Sequence, residues 1–239
     1  TNSFLQQHAE DLLQSPTMGV AKTGREVKTV LDYGGPNMGK PMHVGHLRAS
    51  VVGECLKRLL RFTGENALGD VHFGDWGMPM GMIINQLELE QPDLPFFEQG
   101  RTTDFPNESP VRIDEIGALY RRATARGKES EEAKKQMRLT AAALQDGHAG
   151  YIALYELLRA TSLKACEANF KRLDVDFDYL YGEYTVKDML PALMKDLLDK
   201  NVAVVDDGAV IARPSDEDKA PLILEKSDGG YTYAATDIA

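Results

Sequence analysis

The feature that most constrains the fold is a strand, a glycine-rich break and a helix in immediate succession. Residues 27–33, VKTVLDY, are typical of a buried strand, and Gly34-Gly35-Pro36-Asn37 ends it. A helix is predicted from His46 to about Phe62. A second strand over 67–73 and a helix over 80–89 repeat the order. This alternation predicts an α/β fold with a doubly wound parallel sheet.

The predicted helix over 46–62 is amphipathic, because its apolar side chains recur at helical spacing. They are Leu47, Val51, Cys55, Leu59 and Phe62. Four prolines within 91–110 predict a segment without regular secondary structure. Residues 112–138 form a charge-rich stretch, which we interpret as a helix with a solvent-exposed charged face. A long amphipathic helix over 149–173 completes a mostly helical insertion.

The last third of the chain is expected to return to the sheet. Residues 173–178 alternate like a strand, and a helix is predicted over 187–200. A hairpin is predicted from 202–205 and 210–211 around Asp207-Gly208, followed by paired strands over 222–225 and 231–234. The expected segments are a lead-in over 1–26 and the first half of the nucleotide-binding domain over 27–90. A helical insertion over 91–172 follows, and residues 173–239 return to the nucleotide-binding domain with a small β-rich insertion.

Charge and composition exclude several classes of protein. Lys and Arg number 27 against 37 Asp and Glu, a net charge of −10, which disfavours a stand-alone binder of nucleic acid. No apolar run approaches the roughly 20 residues of a membrane span. Cys55 and Cys166 show no metal-ligand spacing, so a reduced, cytoplasmic protein without membrane partners is expected.

The densest local signal lies where the first predicted strand gives way to its helix, a position at which open α/β sheets bind ligands. His43 and His46 flank Gly45 there, with Lys40 three residues upstream. Imidazoles and a helix start can donate hydrogen bonds to phosphate oxygens. A helix-capping pair is the open alternative. A zinc site is disfavoured, because the region offers no third ligand at a convincing spacing.

These residues resemble a known family. Pro41-Met42-His43-Val44-Gly45-His46-Leu47-Arg48 resembles the HIGH signature of class I aminoacyl-tRNA synthetases. The longer run 32–48, the Gly74-Asp75-Trp76-Gly77 motif and the closing Tyr233-x-x-x-Asp237 are similar to arginyl-tRNA synthetases in particular. The resemblance spans the whole chain, and the three motifs in this order are strongly specific. It implies a Rossmann-like (HUP-type) catalytic domain.

The resemblance also implies an activity and residues that serve it. The family activates arginine with Mg²⁺-ATP and passes it to the terminal adenosine of tRNA(Arg). By matched position His43, His46 and Lys40 would be catalytic. The implied ATP-binding residues are Pro36, Gly39, Lys40, His43, Gly45 and His46.

Two arguments predict the arginine-binding residues: the resemblance, and the number of hydrogen-bond donors on a guanidinium. A guanidinium has five N–H donors and no acceptor, so it binds carboxylates. Asp32 and Asp237 are the expected acceptors, on the reasoning that two buried acids need a cation. Tyr233 would add its hydroxyl or ring, and Asn37 would hold the amino-acid backbone end by resemblance. A capping aspartate and a packed tyrosine are the alternatives for single residues.

Departures from the family pattern concern the loop and the ends of the chain. Gly34 stands where the family usually has serine, and Met78-Pro79 where it has Thr-Gln. The KMSK loop and the anticodon-binding domain are expected after Ala239, so a catalytic-domain fragment, inactive or weakly active alone, is expected. tRNA would then be held largely by regions outside it.

The alternative functions are another HIGH-motif nucleotidyltransferase, a different class I synthetase, or a non-catalytic synthetase-like binding domain.

Overall fold

A computed structural model describes residues 1–22, 27–213, 220–227 and 229–239. The chain divides into two units. The first comprises Thr1–Gly35, His43–His72 and Asn169–Leu180. The second comprises Pro36–Met42, Phe73–Ala168 and Tyr181–Ala239.

A three-stranded sheet and two helices build most of the first unit. The elements are α1 (Asn2–Gln14), β1 (Lys28–Asp32), α2 (Val44–Phe62), β2 (Asn66–Phe73) and β3 (Tyr179–Gly182), which continues into the second unit. The strand order is β1-β2-β3, and β1 pairs with β2 in parallel, with Asp32 opposite Asp70. The predicted α/β class with a parallel sheet is confirmed.

Helix α2 buries a polar face. Its buried residues are Ser50, Gly53, Glu54 and Lys57, whereas Val51, Leu59 and Phe62 of the apolar stripe are 47%, 56% and 39% exposed. The cause is Gly53, where an added Cβ would lie 2.1 Å from Cγ of Tyr33. This close approach selects the Gly53 face for contact, so periodicity identified the helix without identifying its buried side.

A hydrogen-bonded cluster compensates the charges on that buried face. The Glu54 carboxylate accepts from the Tyr33 hydroxyl at 2.9 Å and the Lys57 ammonium at 2.9 Å. Arg58 donates to it at 2.7 Å, and Lys57 also donates to the Asp176 carbonyl. Burial by itself raises the pKa of Glu54, but the donated hydrogen bonds outweigh it and hold this pKa at about 2.

The strand predicted over 173–178 is wrong. Asp174 has a φ of +55°, and the strand begins later, at Tyr179. Asp178 instead accepts from the Gly69 N–H and the Arg61 guanidinium, both at 2.7 Å. The alternating aspartates of this segment therefore hold the basic side of α2 and are not part of a β-ladder.

Helices dominate the first part of the second unit. They are α3 (Met78–Glu90), α4 (Ile113–Glu129), α5 (Glu131–Gln145) and α6 (Ala149–Arg172), whose last four residues belong to the first unit. The predicted stretch 112–138 is two helices, separated where Ser130 caps α5 by accepting the Ala133 N–H. Its charged side is solvated as expected, while Ile116, Leu119 and Met137 are buried.

The last third of the chain forms a small sheet with short helices. The elements are α7 (Glu183–Val186), α8 (Leu190–Asp199), β4 (Ala203–Asp206), β5 (Ala209–Ala212), β6 (Leu222–Glu225) and α9 (Tyr233–Ile238). The predicted hairpin is confirmed, with β4 and β5 antiparallel. Among the described helices, none is both long enough and apolar enough to span a membrane.

The second strand of the last predicted pair, 231–234, is wrong. Tyr231 forms a single bridge with Glu225, and the chain turns into α9 two residues later. Ala234 and Ala235 are buried against a cluster that includes Leu224. A helix lets both alanines enter this core, whereas a strand would point them to opposite faces. The predicted turn includes Asp228, which lies outside the described residues.

Candidate active site

The two histidines of the HIGH-like segment cap α2 in the first unit. The Gly45 N–H donates to Nδ1 of His43 at 3.1 Å, and the His43 N–H donates to Nδ1 of His46 at 3.3 Å. Their rings stack with centroids 3.8 Å apart. The helix-capping alternative is therefore part of what these residues do.

This cap fixes the tautomer of both rings. A neutral imidazole that accepts at Nδ1 carries its proton on Nε2. His43 and His46 thus present Nε2–H donors at the positive end of α2, a 19-residue helix. Capping and phosphate binding are compatible, because they use different ring nitrogens.

The loop from Pro36 to Lys40 is held by the Gly74 backbone in the second unit. The Met38 N–H donates to the Gly74 carbonyl at 2.9 Å, and the Gly74 N–H donates to the Pro36 carbonyl at 3.3 Å. Asn37 is exposed and forms a parallel bridge with Gly74. The glycine is required here, because an added Cβ would lie 2.5 Å from Oδ1 of Asn37.

The next two residues of the loop are fixed by helices of the insertion. Gly39 has a φ of +76°, and its N–H donates to the Ser162 hydroxyl at 3.3 Å. The Lys40 ammonium lies 4.2 Å from the centroid of the Tyr120 ring. This cation–π contact positions Lys40 while leaving its three N–H donors for an anion.

Asp75 is an organising residue that the sequence interpretation missed. Its carboxylate is fully buried, accepts from the Arg159 guanidinium at 2.6 Å and from the Tyr184 N–H at 3.0 Å. It therefore ties the segment that holds Asn37 to α6 and to the start of α7. The sequence singled out the Gly74-Asp75-Trp76-Gly77 motif, but a motif does not identify the partners of its acid.

Trp76 is buried and packs against two tyrosines. Its ring contacts Tyr155 edge-on at a centroid distance of 4.9 Å and Tyr184 at 5.1 Å. Tyr155 is fully buried, and its hydroxyl finds no hydrogen-bond partner among the described residues. Burial, followed by the nearby charge of Asp75, raises the pKa of Tyr155 far above its ordinary value.

Glu183 is a second functional candidate missed from the sequence. Its carboxylate accepts the Trp76 N–H at 3.2 Å. Burial, aided by the negative charges of Asp75 and Asp237, raises the pKa of Glu183 to about 7. A carboxyl with a pKa near neutrality in an acidic environment is suited to a cationic ligand, because a positive charge restores its ionised form.

The expected arginine-binding residues lie in both units. Asp32 ends β1 in the first unit; Asn37, Tyr233 and Asp237 belong to the second. Tyr233 and Asp237 lie one helical turn apart in α9. The premise that the two acids are buried is wrong, because Asp32 and Asp237 are exposed and Tyr233 is 70% exposed. Exposed carboxylates carry no burial cost that a ligand must relieve.

The remaining predicted residues also divide between the units. His43, Gly45 and His46 belong to the first, whereas Pro36, Gly39 and Lys40 belong to the second. Within the second unit the structure brings Asp237 into the electrostatic environment of Glu183 and Asp75. Within the first, the histidines are brought together by the cap.

Comparison with known proteins identifies the family of the chain. Residues 8–239 match the family described as tRNA synthetases class I (R), catalytic domain. The arginine–tRNA ligase of Francisella tularensis subsp. novicida (strain U112) is 38% identical over 236 residues, covering 99% of this chain and 41% of that protein. That of Agathobacter rectalis is 36% identical over 242 residues, covering 99% and 40%. The chain thus spans about two fifths of the length of these relatives.

Solved structures give the same result. Arginyl-tRNA synthetase from Plasmodium falciparum superposes with a TM-score of 0.68 at 26% identity, covering 96% of this chain and 40% of that one. The Thermus thermophilus arginyl-tRNA synthetase has a TM-score of 0.59 at 21% identity, covering 96% and 38%, and supports the fold alone. Together with the family match, these findings establish that the chain belongs to the class I arginyl-tRNA synthetases and corresponds to their catalytic domain.

Proposed function

We propose that this chain carries the chemistry of an arginine–tRNA ligase. In the first step a carboxylate oxygen of arginine attacks the α-phosphorus of ATP, and pyrophosphate leaves with the electrons of the broken P–O bond. In the second, a ribose hydroxyl of the terminal adenosine of tRNA(Arg) attacks the arginyl carbonyl, and AMP leaves. The observation that carries this proposal is that Nδ1 of both His43 and His46 accepts a backbone N–H at the start of α2, which leaves Nε2 of a neutral ring to carry the proton.

The phosphate side of the reaction is assigned to the HIGH-like segment and its loop. We assign His43 and His46 to the oxygens of the α-phosphate, where negative charge grows in the transition state. Lys40 neutralises the phosphates as a point charge. Pro36, Gly39 and Gly45 contribute backbone that can approach the nucleotide closely.

The arginine side is assigned to the acids and their neighbours. Asp32 and Asp237 accept from the guanidinium, Tyr233 covers it, and Asn37 holds the amino-acid end. The raised pKa of Glu183 supports a cation in this region, because a bound positive charge would favour the ionised carboxylate that burial and the neighbouring acids disfavour.

Partners and surroundings are proposed on the same basis. Mg²⁺ enters as the complex with the substrate ATP. Among the described residues, no cluster of three His, Cys, Asp or Glu side chains is placed to hold a metal ion. tRNA(Arg) is contacted largely by regions outside this chain, and the location is cytoplasmic. The segments 1–26, 27–90, 91–172 and 173–239 remain our proposed organisation.

Arginine-dependent exchange of pyrophosphate into ATP tests the proposal, with tRNA(Arg) present. We expect weak exchange that requires arginine and falls to the arginine-free background in His43→Ala and His46→Ala. Lys164→Ala, an exposed change on α6, is the control and retains the rate. Exchange of equal size without arginine or in the histidine variants would contradict the proposal, as would absence of both exchange and arginine binding.

A further inference from the structure

A pocket among four helices of the second unit holds two charged side chains of opposite sign. Its volume is about 710 Å³, which is within the range of small-molecule sites, and its walls come from α3, α4, α5 and α6. Glu88 on α3 and Arg126 on α4 are the charged residues of its described lining, which includes none of the residues assigned above to arginine or ATP. We call it the helical pocket.

Within the described part of the chain, both charges of the helical pocket are hydrogen-bonded to neutral groups only. Arg126 donates to the amide oxygen of Asn85 and, at 3.0 Å, to that of Gln86. Glu88 accepts from the Tyr151 hydroxyl at 2.9 Å. Glu88 and Arg126 form no ion pair with each other or with another described side chain. The pocket therefore contains an anion and a cation that contact no opposite charge.

The neighbouring acid Glu90 does not neutralise Arg126 by contact. Both oxygens of Glu90 are held by the Arg122 guanidinium, at 2.7 and 2.8 Å. Gln86 lies between Glu90 and Arg126, because it donates to Glu90 at 2.7 Å and accepts from Arg126. Arg122 is therefore the partner of Glu90, and the Arg126 charge stays available to a ligand.

A buried polar network holds the two charges apart. Asn85 and Thr140 are 9% and 6% exposed, line the pocket and are hydrogen-bonded to each other at 3.0 Å. Glu88 follows Asn85 by three residues and lies on the same side of α3. Arg126, held at Asn85, and Glu88 are thus anchored about one helical turn apart, where a small molecule can lie between them.

This arrangement favours a ligand that carries both charges. An anion alone would be repelled by Glu88, and a cation alone would be repelled by Arg126. A molecule with an ammonium and a carboxylate group can pair with both. Leu89 and Leu139 also line the pocket and are 58% and 54% exposed, so an apolar group on the same ligand would remove them from water.

We propose that the helical pocket binds a free α-amino acid with an apolar side chain, with its ammonium group at Glu88 and its carboxylate at Arg126. Arginine fits less well, because its guanidinium would meet the apolar wall. A peptide fits less well, because its terminal charges are further apart than those of one amino acid. This site is separate from the proposed arginine site and does not depend on the proposed function.

The test measures the binding of four probes to the chain by saturation-transfer NMR: leucine, N-acetylleucine, leucinamide and glycine. N-acetylleucine lacks the ammonium charge, leucinamide lacks the carboxylate, and glycine lacks the apolar side chain. We expect each of these three to bind ~10-fold or more weakly than leucine, because each loses one of the contacts that the pocket offers.

Two variants assign the contacts to their residues. Glu88→Gln keeps an acceptor for the Tyr151 hydroxyl, and we expect it to abolish the preference for leucine over N-acetylleucine. Arg126→Gln should abolish the preference for leucine over leucinamide. Glu156→Gln and Arg121→Gln, at exposed positions of α6 and α4, are the controls and should keep both preferences. Thermal melting shows whether each variant is folded.

Equal binding of leucine, N-acetylleucine and leucinamide to the unaltered chain would overturn the inference, as would no binding of leucine. Neither result depends on the folding of a variant. Leucine binding that is lost in Asp237→Asn but kept in Glu88→Gln would also overturn it, by placing leucine in the proposed arginine site. Failure of arginine-dependent pyrophosphate exchange would contradict the proposed function and leave this inference standing, so the two failures are distinguishable.

Discussion

The Asp75 carboxylate and the Arg159 guanidinium form an ion pair of 2.6 Å between residues 84 positions apart, with Asp75 fully buried. This contact connects the Gly74–Trp76 segment to α6. Gly74 in turn pairs with Asn37. The ion pair therefore helps to hold the loop that we propose to bind the amino-acid end of arginine.

Breaking this pair is expected to destabilise the fold strongly. Asp75→Asn leaves the Arg159 charge without its anion in a largely buried position, and we expect a loss of about 3 kcal/mol in the free energy of unfolding. Urea denaturation measures it. Asp199→Asn, which breaks an exposed pair with Lys195, is the control and should cost less than about 0.5 kcal/mol. Equal losses in both variants would contradict this role.

Substitution of Gly74 should affect ligand binding more than stability. In Gly74→Ala the new methyl group would lie 2.5 Å from Oδ1 of Asn37, so the Asn37 side chain must move. We expect arginine to bind ~10-fold more weakly, a loss near 1.4 kcal/mol by calorimetry. Gly127→Ala, whose methyl group meets only Met137 at 3.5 Å or more, is the control. Unchanged arginine affinity in Gly74→Ala would contradict the assignment of Asn37.

Glu183 should make stability fall as the pH rises towards neutrality. Its pKa is raised from 4.5 to about 7, chiefly by burial. The stabilising contribution of the protonated carboxyl is fully present below pH ~4.5 and is lost as the pH rises through ~7, because the unfolded chain ionises first. Glu183→Gln should remove a decline of about 2 kcal/mol between these pH values. Urea titrations at several pH values measure it, with exposed Glu156→Gln as the control. An unchanged profile in Glu183→Gln would contradict the prediction.

Glu54 should have the opposite pH dependence. Its pKa is held at about 2 by donors that outweigh the effect of burial. The stability it contributes is therefore present above pH ~4.5 and is lost as the pH falls towards 2. Glu54→Gln leaves the buried Lys57 charge unpaired, so we expect a loss of about 3 kcal/mol at pH 7 and a smaller one at pH 3. Guanidinium denaturation at both pH values, beside exposed Glu10→Gln, measures it. A loss that is as large at pH 3 as at pH 7 would exclude this mechanism.

Local patterns predicted the elements that depend on local physics. The β1-to-α2 succession follows from a short apolar run, a glycine break and helical periodicity. The hairpin over 203–212 follows from Asp207-Gly208, both of which adopt positive φ. The histidines were found for the same reason, since a capping pair and a phosphate-binding pair share one helix start.

Long-range contacts decided what the patterns could not predict. The buried face of α2 was missed because it depends on Tyr33 approaching Gly53 and on Asp176, which is 119 positions from Lys57. Asp75 and Glu183 were missed because their properties arise from burial and from each other. Periodicity carries no information about such partners.

Calorimetric titration with arginine and with citrulline tests the central claim most directly. The side chain of citrulline has the shape of the arginine side chain but carries no charge, so it cannot form an ion pair with Asp237, an acid that we propose to contact the guanidinium. We predict that arginine binds at least ~10-fold more tightly than citrulline, a difference of about 1.4 kcal/mol, and that Asp237→Asn reduces the preference. Equal affinity for the two amino acids, unchanged in Asp237→Asn, would contradict the claim that this chain selects arginine by its charge.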